Sequence, residues 1–283
     1  MPMTNTFSAP PRPIALTIAG SDSSGGAGIQ ADIKTFSALG VYGASVITAL
    51  TAQNTRGVQS VHEVPADFVA AQIKSVFDDL DVRAAKTGML ATAAIIRVVA
   101  ADFAARAQCH LVVDPVMVAT SGDLLISPEA VEVMARDLFP VATLLTPNLP
   151  EAARLTGESE ARTRSDMAVQ AEILMKRGCR AVLLKGGHLA DTPHEAADLL
   201  LDTHGAIWLT RPRIETANTH GTGCTLSAAI AAGLATGLGL GDAVKHAKEY
   251  LWQAIMAGRD LGIGRGHGPV DHLFAQDRTF RIR

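Results

Sequence analysis

Residues 14–31 read IALTIAGSDSSGGAGIQA: a short apolar run, then a loop of glycine and serine, then the start of a helical pattern. The apolar run is typical of a buried strand, and the spacing after the loop is typical of a helix. Gly20 and Gly25 have the spacing of a phosphate-binding P-loop. Gly26 and Ala27, however, stand where that motif requires Lys followed by Ser or Thr. The segment therefore predicts a strand, a ligand-approaching loop and a helix, but no P-loop.

The same loop also matches the relaxed dinucleotide-binding pattern G-x-G-x-x-A over residues 26–31. That pattern needs an acidic residue about 20 positions further on to bind a ribose. No Asp or Glu lies between Asp32 and Glu63, which argues against a nicotinamide dehydrogenase. A tight turn would explain the glycines alone, but it leaves the polar cluster at residues 21–24 unexplained.

Alternating β-rich and helical runs continue outward from this loop. Strands are predicted at 14–19, 42–49, 84–87, 111–113, 143–146 and 181–184, with a hairpin at 199–210; helices are predicted at 29–39, 66–78, 92–107, 150–155, 165–177, 224–233 and 242–257, with Ser127 and Pro128 starting a further one. This alternation predicts an α/β fold with a mainly parallel central sheet covered on both faces. We expect a flexible extension at 1–13 and one domain over 14–283, with its site at the carboxyl ends of the strands.

Composition excludes several classes of protein. The chain of 283 residues is 48% hydrophobic and 4% aromatic, and its formal net charge is −3. Nothing here favours binding to nucleic acid or to an anionic membrane. The three cysteines are scattered, which fits a reducing, cytoplasmic compartment. Residues 221–241 carry no charge, but their Ala and Gly content favours a tightly packed helix over a membrane span.

A second glycine loop, NTHGTGCT at residues 218–225, precedes that helix. Gly221 and Gly223 leave backbone N–H groups at a helix start, where they favour an anion. Cys224 follows in the first turn, where a helix N-terminus lowers the pKa of a thiol. The alternatives are a buried structural cysteine and a Cys224–His220 nucleophile. The flanking glycines favour phosphoryl transfer, which needs preorganised donors.

Seven separated stretches together carry a resemblance. They are AGSDSSGGAGIQAD at 19–32, TALTAQNT at 48–55, KTGML at 86–90, DPVM at 114–117, TPNLPEA at 146–152, KGGH at 185–188 and NTHGTGCT at 218–225. In content and order they resemble the hydroxymethylpyrimidine/phosphomethylpyrimidine kinases of bacterial thiamine biosynthesis, within the ribokinase-like superfamily. The resemblance implies a three-layer α/β/α sandwich, a homodimer, and the use of ATP and Mg²⁺.

The implied reaction phosphorylates 4-amino-5-hydroxymethyl-2-methylpyrimidine and then its monophosphate. Site residues follow from the matching positions. The resemblance places Cys224, Gly221, Gly223 and Lys185 at the catalytic centre; Gln53, Gly20, Ala27, Met89, Val116, Asp32 and Lys248 on the substrate; Lys185, Asn148 and Thr222 on the nucleotide; and Asp114 and Glu151 on the metal. Residues 262–270 resemble a loop that covers the adenine. The chemistry agrees for Gln53, because a carboxamide offers both a donor and an acceptor to an aminopyrimidine.

Three other functions stay open at this point. Pyridoxal kinase shares the fold, the anion site and, in some bacterial members, the cysteine. A cysteine hydrolase using Cys224 and His220 would act without ATP. A non-catalytic nucleotide-binding protein would bind ATP without turnover, but the joint presence of Lys185, Asp114 and Glu151 with Cys224 argues against it.

Overall fold

The fold is given by a computed structural model that describes residues 12–117, 126–187 and 189–276. The strands are β1 (Ile14–Asp22), β2 (Tyr42–Asn54), β3 (Gly57–Glu63), β4 (Val82–Thr87), β5 (His110–Val113), β6 (Leu144–Leu145), β7 (Ala181–Leu184), β8 (Glu195–Asp202) and β9 (Gly205–Pro212). The helices are α1 (Gly28–Ala38), α2 (Ala66–Asp79), α3 (Ala93–Ala104), α4 (Pro128–Val133), α5 (Leu149–Thr156), α6 (Arg164–Lys176), α7 (Thr222–Ala235) and α8 (Leu240–Gly258). Most of the predicted extension, at 1–11, lies outside the described residues.

Within the described residues, nine strands form one sheet in the order β3-β2-β1-β4-β5-β6-β7-β8-β9. The pairs from β2 through β7 are parallel, while β3, β8 and β9 join antiparallel at the two edges. The predicted parallel sheet is confirmed. Because these central strands run the same way, their carboxyl ends meet at one edge of the sheet.

Helices cover both faces of the sheet, so the predicted three-layer sandwich is also confirmed. Helices α2 to α6 pack on one face and contribute to a core with Leu16 and Ile18. Helices α1, α7 and α8 pack on the other face, where Ala15 belongs to the core. The alternation along β1 follows from the two-residue period of a strand.

Helix α7 is buried over most of its length, as its Ala and Gly content predicts. A Cβ on Gly233 would lie 3.0 Å from the Cβ of Ala243, so the small residues let α7 and α8 approach closely. No helix in the part of the chain that the structure describes is long and apolar enough to cross a membrane.

Local signals placed several boundaries. The Ser127 hydroxyl accepts a hydrogen bond from the backbone N–H of Ala130 at 3.2 Å, and Pro128 follows, so the predicted start of α4 is confirmed. The prediction was incomplete at the edge of the sheet formed by β3 and β2. Strand β3 was missed, and β2 is longer than expected. Most residues of β3 are exposed and several are polar, so this strand lacks the alternation that marks a half-buried strand.

Candidate active site

Two glycine loops meet at the carboxyl edge of the sheet. The first loop joins β1 to α1, and the second precedes α7. They touch where Gly221 adopts a φ of +80°, and a Cβ there would lie 1.9 Å from the carbonyl oxygen of Gly26. Glycine is therefore required at 221 both by the backbone conformation and by the neighbouring chain. This contact brings the two predicted loops together.

The first cavity has a volume of about 460 Å³ and lies beside both loops. It contains most of the predicted substrate-binding residues: Gly20, Ala27, Gln53, Met89 and Val116 line it together with Cys224. Gly20 leaves room for Met89, since a Cβ on Gly20 would lie 2.6 Å from the methionine methyl carbon. The dimensions of this cavity and its mixed polar and apolar lining suit a small ring that carries polar substituents.

The second cavity, of about 680 Å³, lies between α8 and the end of the sheet. Leu226, Leu251, Trp252 and Ile255 give it an apolar side. Residues 262–270, which were expected to cover the adenine, do not line it. Instead the backbone N–H groups of Gly266 and His267 donate to Thr55, at 3.1 and 2.8 Å.

The two cavities share a wall. Asn148, Lys185, Thr219, Thr222 and Gly223 line both of them. Thr222 and Gly223 stand in the first turn of α7, where backbone N–H groups without a partner inside the helix and the helix dipole favour an anion. Two ligands bound in these cavities would therefore meet at a site built for negative charge.

Lys185 supplies a positive charge at this wall. Its Nζ donates to Oδ1 of Asp114 at 2.9 Å, and the Asp114 side chain is only 2% exposed. Burial would lower the pKa of Lys185, but Asp114 and Glu151 outweigh that effect and raise it, so the amine stays protonated. A Cβ on Gly223 would lie 3.3 Å from this Nζ, so glycine at 223 leaves the ammonium space. Lys185 was predicted to bind the nucleotide; its partner within the protein is Asp114.

Cys224 does not have the low pKa predicted for it. Burial raises the pKa of its thiol to about 11, although the nearby Lys86 ammonium lowers it. The expectation from the helix N-terminus was wrong because burial disfavours the thiolate more than the Lys86 ammonium stabilises it. The thiol is therefore neutral at pH 7 and is a poor general base.

Asp32 is not on the wall of the first cavity. It is fully buried, accepting from Thr17 Oγ1 at 2.6 Å and from Lys86 Nζ at 3.1 Å. The expected contact with substrate is thus wrong for this arrangement, because both carboxylate oxygens are engaged inside the protein. Burial would lower the pKa of Lys86, but Asp32, Cys224 and Asp114 outweigh that effect and raise it. Lys86 therefore holds a positive charge near Cys224, and Asp32 partly offsets it.

Lys248 was expected on the substrate, yet it lines the second cavity. Its Nζ donates to Oδ2 of Asp198 at 2.5 Å, and both side chains are largely buried. The placement follows from α8, which packs beside the second cavity. Lys248 therefore faces the larger, partly apolar site.

Asp114 and Glu151 do not form a ready metal site. Both Asp114 oxygens have partners, since Oδ2 also accepts from Ser227 Oγ at 3.2 Å. Glu151 and Asn148 form a capping box at the start of α5: Oε2 of Glu151 accepts from the Asn148 N–H and Oδ1 of Asn148 accepts from the Glu151 N–H, both at 2.8 Å. Glu151 lines the first cavity, whereas Asp114 lines neither of the two cavities described. Among the residues described, no group of three or more His, Cys, Asp and Glu is placed to hold a metal ion.

Asp22 and His220 also line the first cavity. The sequence assigned no role to Asp22 and considered His220 only as a partner of Cys224. His220 Nε2 lies 2.8 Å from Asp22 Oδ2 and 3.3 Å from Gln53 Nε2. Burial would raise the pKa of Asp22, but hydrogen bonds from His220, Ser24 and Ala27 hold it well below its usual range. The polar cluster at residues 21–24 was the available signal, and Asp22 explains it by accepting from the backbone of the loop.

Comparison with known proteins fits this geometry. A family model described as phosphomethylpyrimidine kinase matches residues 22–271. A hydroxymethylpyrimidine/phosphomethylpyrimidine kinase of Rhizobium meliloti (strain 1021) is 58% identical over 260 residues, covering 92% of this chain and 97% of that protein. A protein of the same description from Escherichia coli (strain K12) is 52% identical, with 92% and 97% covered.

Solved structures agree on the fold. An ADP complex of Bacillus subtilis pyridoxal kinase has a TM-score of 0.85 and 39% identity, covering 93% of this chain and 98% of that one. Phosphomethylpyrimidine kinase from Clostridium difficile 630 has a TM-score of 0.74 and 44% identity, covering 86% and 99%. The similarity thus extends over nearly the whole length of these proteins.

Proposed function

Because this chain belongs to the phosphomethylpyrimidine kinase family, we propose that it phosphorylates 4-amino-5-hydroxymethyl-2-methylpyrimidine with ATP and then phosphorylates the monophosphate to the diphosphate. The chain is a kinase of thiamine biosynthesis. The observation that supports the reaction best is the wall shared by the two cavities. The pyrimidine would occupy the first cavity and ATP the second, with the γ-phosphate at the start of α7.

The chain's own groups would act mainly by position and charge. The substrate hydroxyl oxygen bonds to the γ-phosphorus, the bond from that phosphorus to the β–γ bridging oxygen breaks, and ADP leaves. Backbone N–H groups at Gly221 and Gly223 and the Lys185 ammonium would stabilise charge on the transferred group. A loose transition state needs no strong base. Cys224 would therefore orient the hydroxyl as a neutral thiol, and the proton would pass to a phosphoryl oxygen.

We also propose that Mg²⁺ accompanies ATP. Asp114 does not fit as a direct ligand, whereas Glu151 lines the first cavity and fits as an acceptor for metal-bound water. Mg²⁺ commonly keeps several of its waters and binds substrate phosphates, whose charge it would neutralise. Asn148 and Thr222 would contact the nucleotide phosphates at the shared wall, and Lys248 would add charge on the nucleotide side.

Pyridoxal is the second candidate acceptor, because pyridoxal kinases are among the structures with a TM-score of 0.85. A mass-resolved assay with ATP, Mg²⁺ and either hydroxymethylpyrimidine or pyridoxal separates the two. Mono- and then diphosphorylated pyrimidine is the expected result. Product from pyridoxal alone would overturn the proposed substrate while leaving the kinase assignment in place.

A homodimer is a further proposal. It is supported by the exposed edge strand β3, on which most residues face solvent, including Val61. An unpaired strand edge readily pairs with a second chain, and most soluble oligomers are closed homo-oligomers.

A further inference from the structure

The side-chain amide of Gln53 has two polar neighbours inside the protein. Its Nε2 lies 3.3 Å from His220 Nε2, and its Oε1 lies 3.1 Å from Thr51 Oγ1. Each neighbour has a second contact that decides whether it can donate or accept. Because a carboxamide has a donor end and an acceptor end, those contacts determine which way round it is stable.

His220 must donate from Nε2. That nitrogen lies 2.8 Å from Oδ2 of Asp22, and Asp22 also accepts from the backbone N–H groups of Gly26 and Ala27, at 3.1 and 2.8 Å. A carboxylate with this many donors is ionised and can only accept. The Nε2 position of His220 therefore carries a proton, and an amide nitrogen facing it would set two donors against each other.

On the other side of the Gln53 amide, the hydroxyl proton of Thr51 is already used in another hydrogen bond. Its hydroxyl donates its single proton to the backbone oxygen of Ser21 at 2.8 Å. Only lone pairs of Oγ1 then face Gln53, so an amide oxygen there would set two acceptors against each other. Turning the Gln53 amide by 180° makes the Thr51 contact a donor–acceptor pair. It also sets the amide oxygen, in place of the nitrogen, against the His220 N–H, whose single proton is shared with Asp22.

We propose that Thr51 and His220 are positioning residues that hold the Gln53 amide with its nitrogen toward Thr51 and its oxygen toward His220, and that this fixed orientation makes the first cavity selective for a 4-aminopyrimidine over its 4-oxo analogue. The inference rests on the proposed function. A 4-aminopyrimidine edge places a ring-nitrogen acceptor beside an amino donor. The 4-oxo analogue reverses both groups, so it would fit only if the amide turned, lost its bond to Thr51 and set its nitrogen against the His220 N–H.

The test is a ratio of kcat/KM values for the 4-amino substrate and the 4-oxo analogue, measured on the full chain with ATP and Mg²⁺. Wild type should prefer the amino compound by about tenfold or more, because a reversed edge leaves buried polar groups unpaired. Thr51→Val removes the acceptor at nearly constant shape and should lower the ratio by about fivefold. The matched control, Thr51→Ser, keeps the hydroxyl and should retain the wild-type ratio.

A second pair of variants tests His220, which lies on the other side of the Gln53 amide. His220→Leu removes the donor and should also lower the ratio, whereas His220→Gln keeps an N–H near the Nε2 position and should preserve most of it. Melting temperatures show which variants are folded. A purely structural role would reduce turnover of both compounds together without changing the ratio.

The outcomes separate the two proposals. A folded Thr51→Val or His220→Leu variant with the wild-type ratio would overturn the positioning roles, even if the wild type phosphorylates the aminopyrimidine well. Absence of any turnover of the aminopyrimidine by the wild type would overturn the proposed function itself, and the selectivity inferred from it.

Discussion

For Cys224, the sequence and the structure lead to different expectations for the pKa of the thiol. Its pKa of about 11 makes the thiol neutral at pH 7. We expect alkylation by iodoacetamide to be slow at neutral pH and to accelerate only as the pH approaches that value, since the thiolate is the reactive form. Cys224→Ser should keep kcat within about tenfold of wild type, because a neutral hydroxyl can still orient the substrate.

Mass spectrometry of Cys224 against pH measures the first expectation, with ATP-protected enzyme as its control. Rapid alkylation at pH 7, or a complete loss of turnover in the serine variant, would contradict the neutral thiol. Either result would support a thiolate with the lowered pKa expected at a helix start.

Glu151 should make stability depend on pH. Burial raises its pKa from an ordinary 4.5 to about 7, against the opposing effect of Lys185. Between these values the folded state holds a proton that the unfolded state has lost, so this contribution to stability falls as pH rises through the window. Glu151→Gln keeps an acceptor for the helix cap and is never charged.

The melting temperature of Glu151→Gln should therefore change less between about pH 5 and pH 7.5 than that of wild type. Calorimetry at both pH values provides the measurement. A variant that follows the wild-type curve would show that the glutamate titrates normally.

Site residues differ in how far sequence could predict them. Gln53, Met89 and Val116 lie together as expected, because each stands at or just after the carboxyl end of a parallel strand and these ends meet. The prediction for Asp32 was wrong because its carboxylate lies on the buried face of α1 and pairs with Lys86 of β4. Helical periodicity alone does not predict that pairing. His220 and Asp22 were missed as a pair because they lie 198 positions apart.

At the scale of elements, the contact between the two loops can be tested through glycine. Gly221 and Gly237 both have positive φ, but a Cβ at 221 would meet the Gly26 carbonyl oxygen at 1.9 Å, whereas a Cβ at 237 would meet nothing within 4 Å. Gly237→Ala should cost about 1 kcal/mol of strain. Gly221→Ala should cost more than that and should also displace the start of α7.

Denaturant unfolding and the KM for ATP measure the two effects. Equal stability losses in the two variants, with unchanged KM in both, would mean that the loops do not need to touch.

Elements with a strong local signature were predictable, and weakly patterned ones were not. Helix α4 was located from Ser127 and Pro128 because a cap and a fixed φ act locally. Strand β3 depends on pairing with β2 rather than on burying one face, so its residues carry little information about their own structure.

At the scale of the whole molecule, the parallel order of the central sheet was predictable because helices separate its strands. The antiparallel hairpin of β8 and β9 was predicted as well, whereas the division into two cavities depends on how distant segments pack. We propose that residues from 14 onward form one domain, since a single sheet joins the described strands.

The exposed β3 edge gives the prediction that belongs to this scale. Val61 is 41% exposed there, and Val61→Lys should weaken a dimer that uses this edge, because a charge on an edge strand opposes pairing. Sedimentation velocity over a range of concentrations measures the shift toward monomer. Val169→Lys, on an exposed residue of α6, is the matched control. A wild-type chain that sediments as a monomer at every concentration would contradict the homodimer.

The contact between the first and second glycine loops also has a consequence for how the protein is made. One loop is translated near the beginning of the chain and the other near its end. A ribosome would have to release α7 before Gly221 could reach Gly26 or His220 could reach Asp22. Until then the early strands and helices would lack the anion site at the first turn of α7, so a translation product truncated before α7 would be inactive even if much of its sheet had formed.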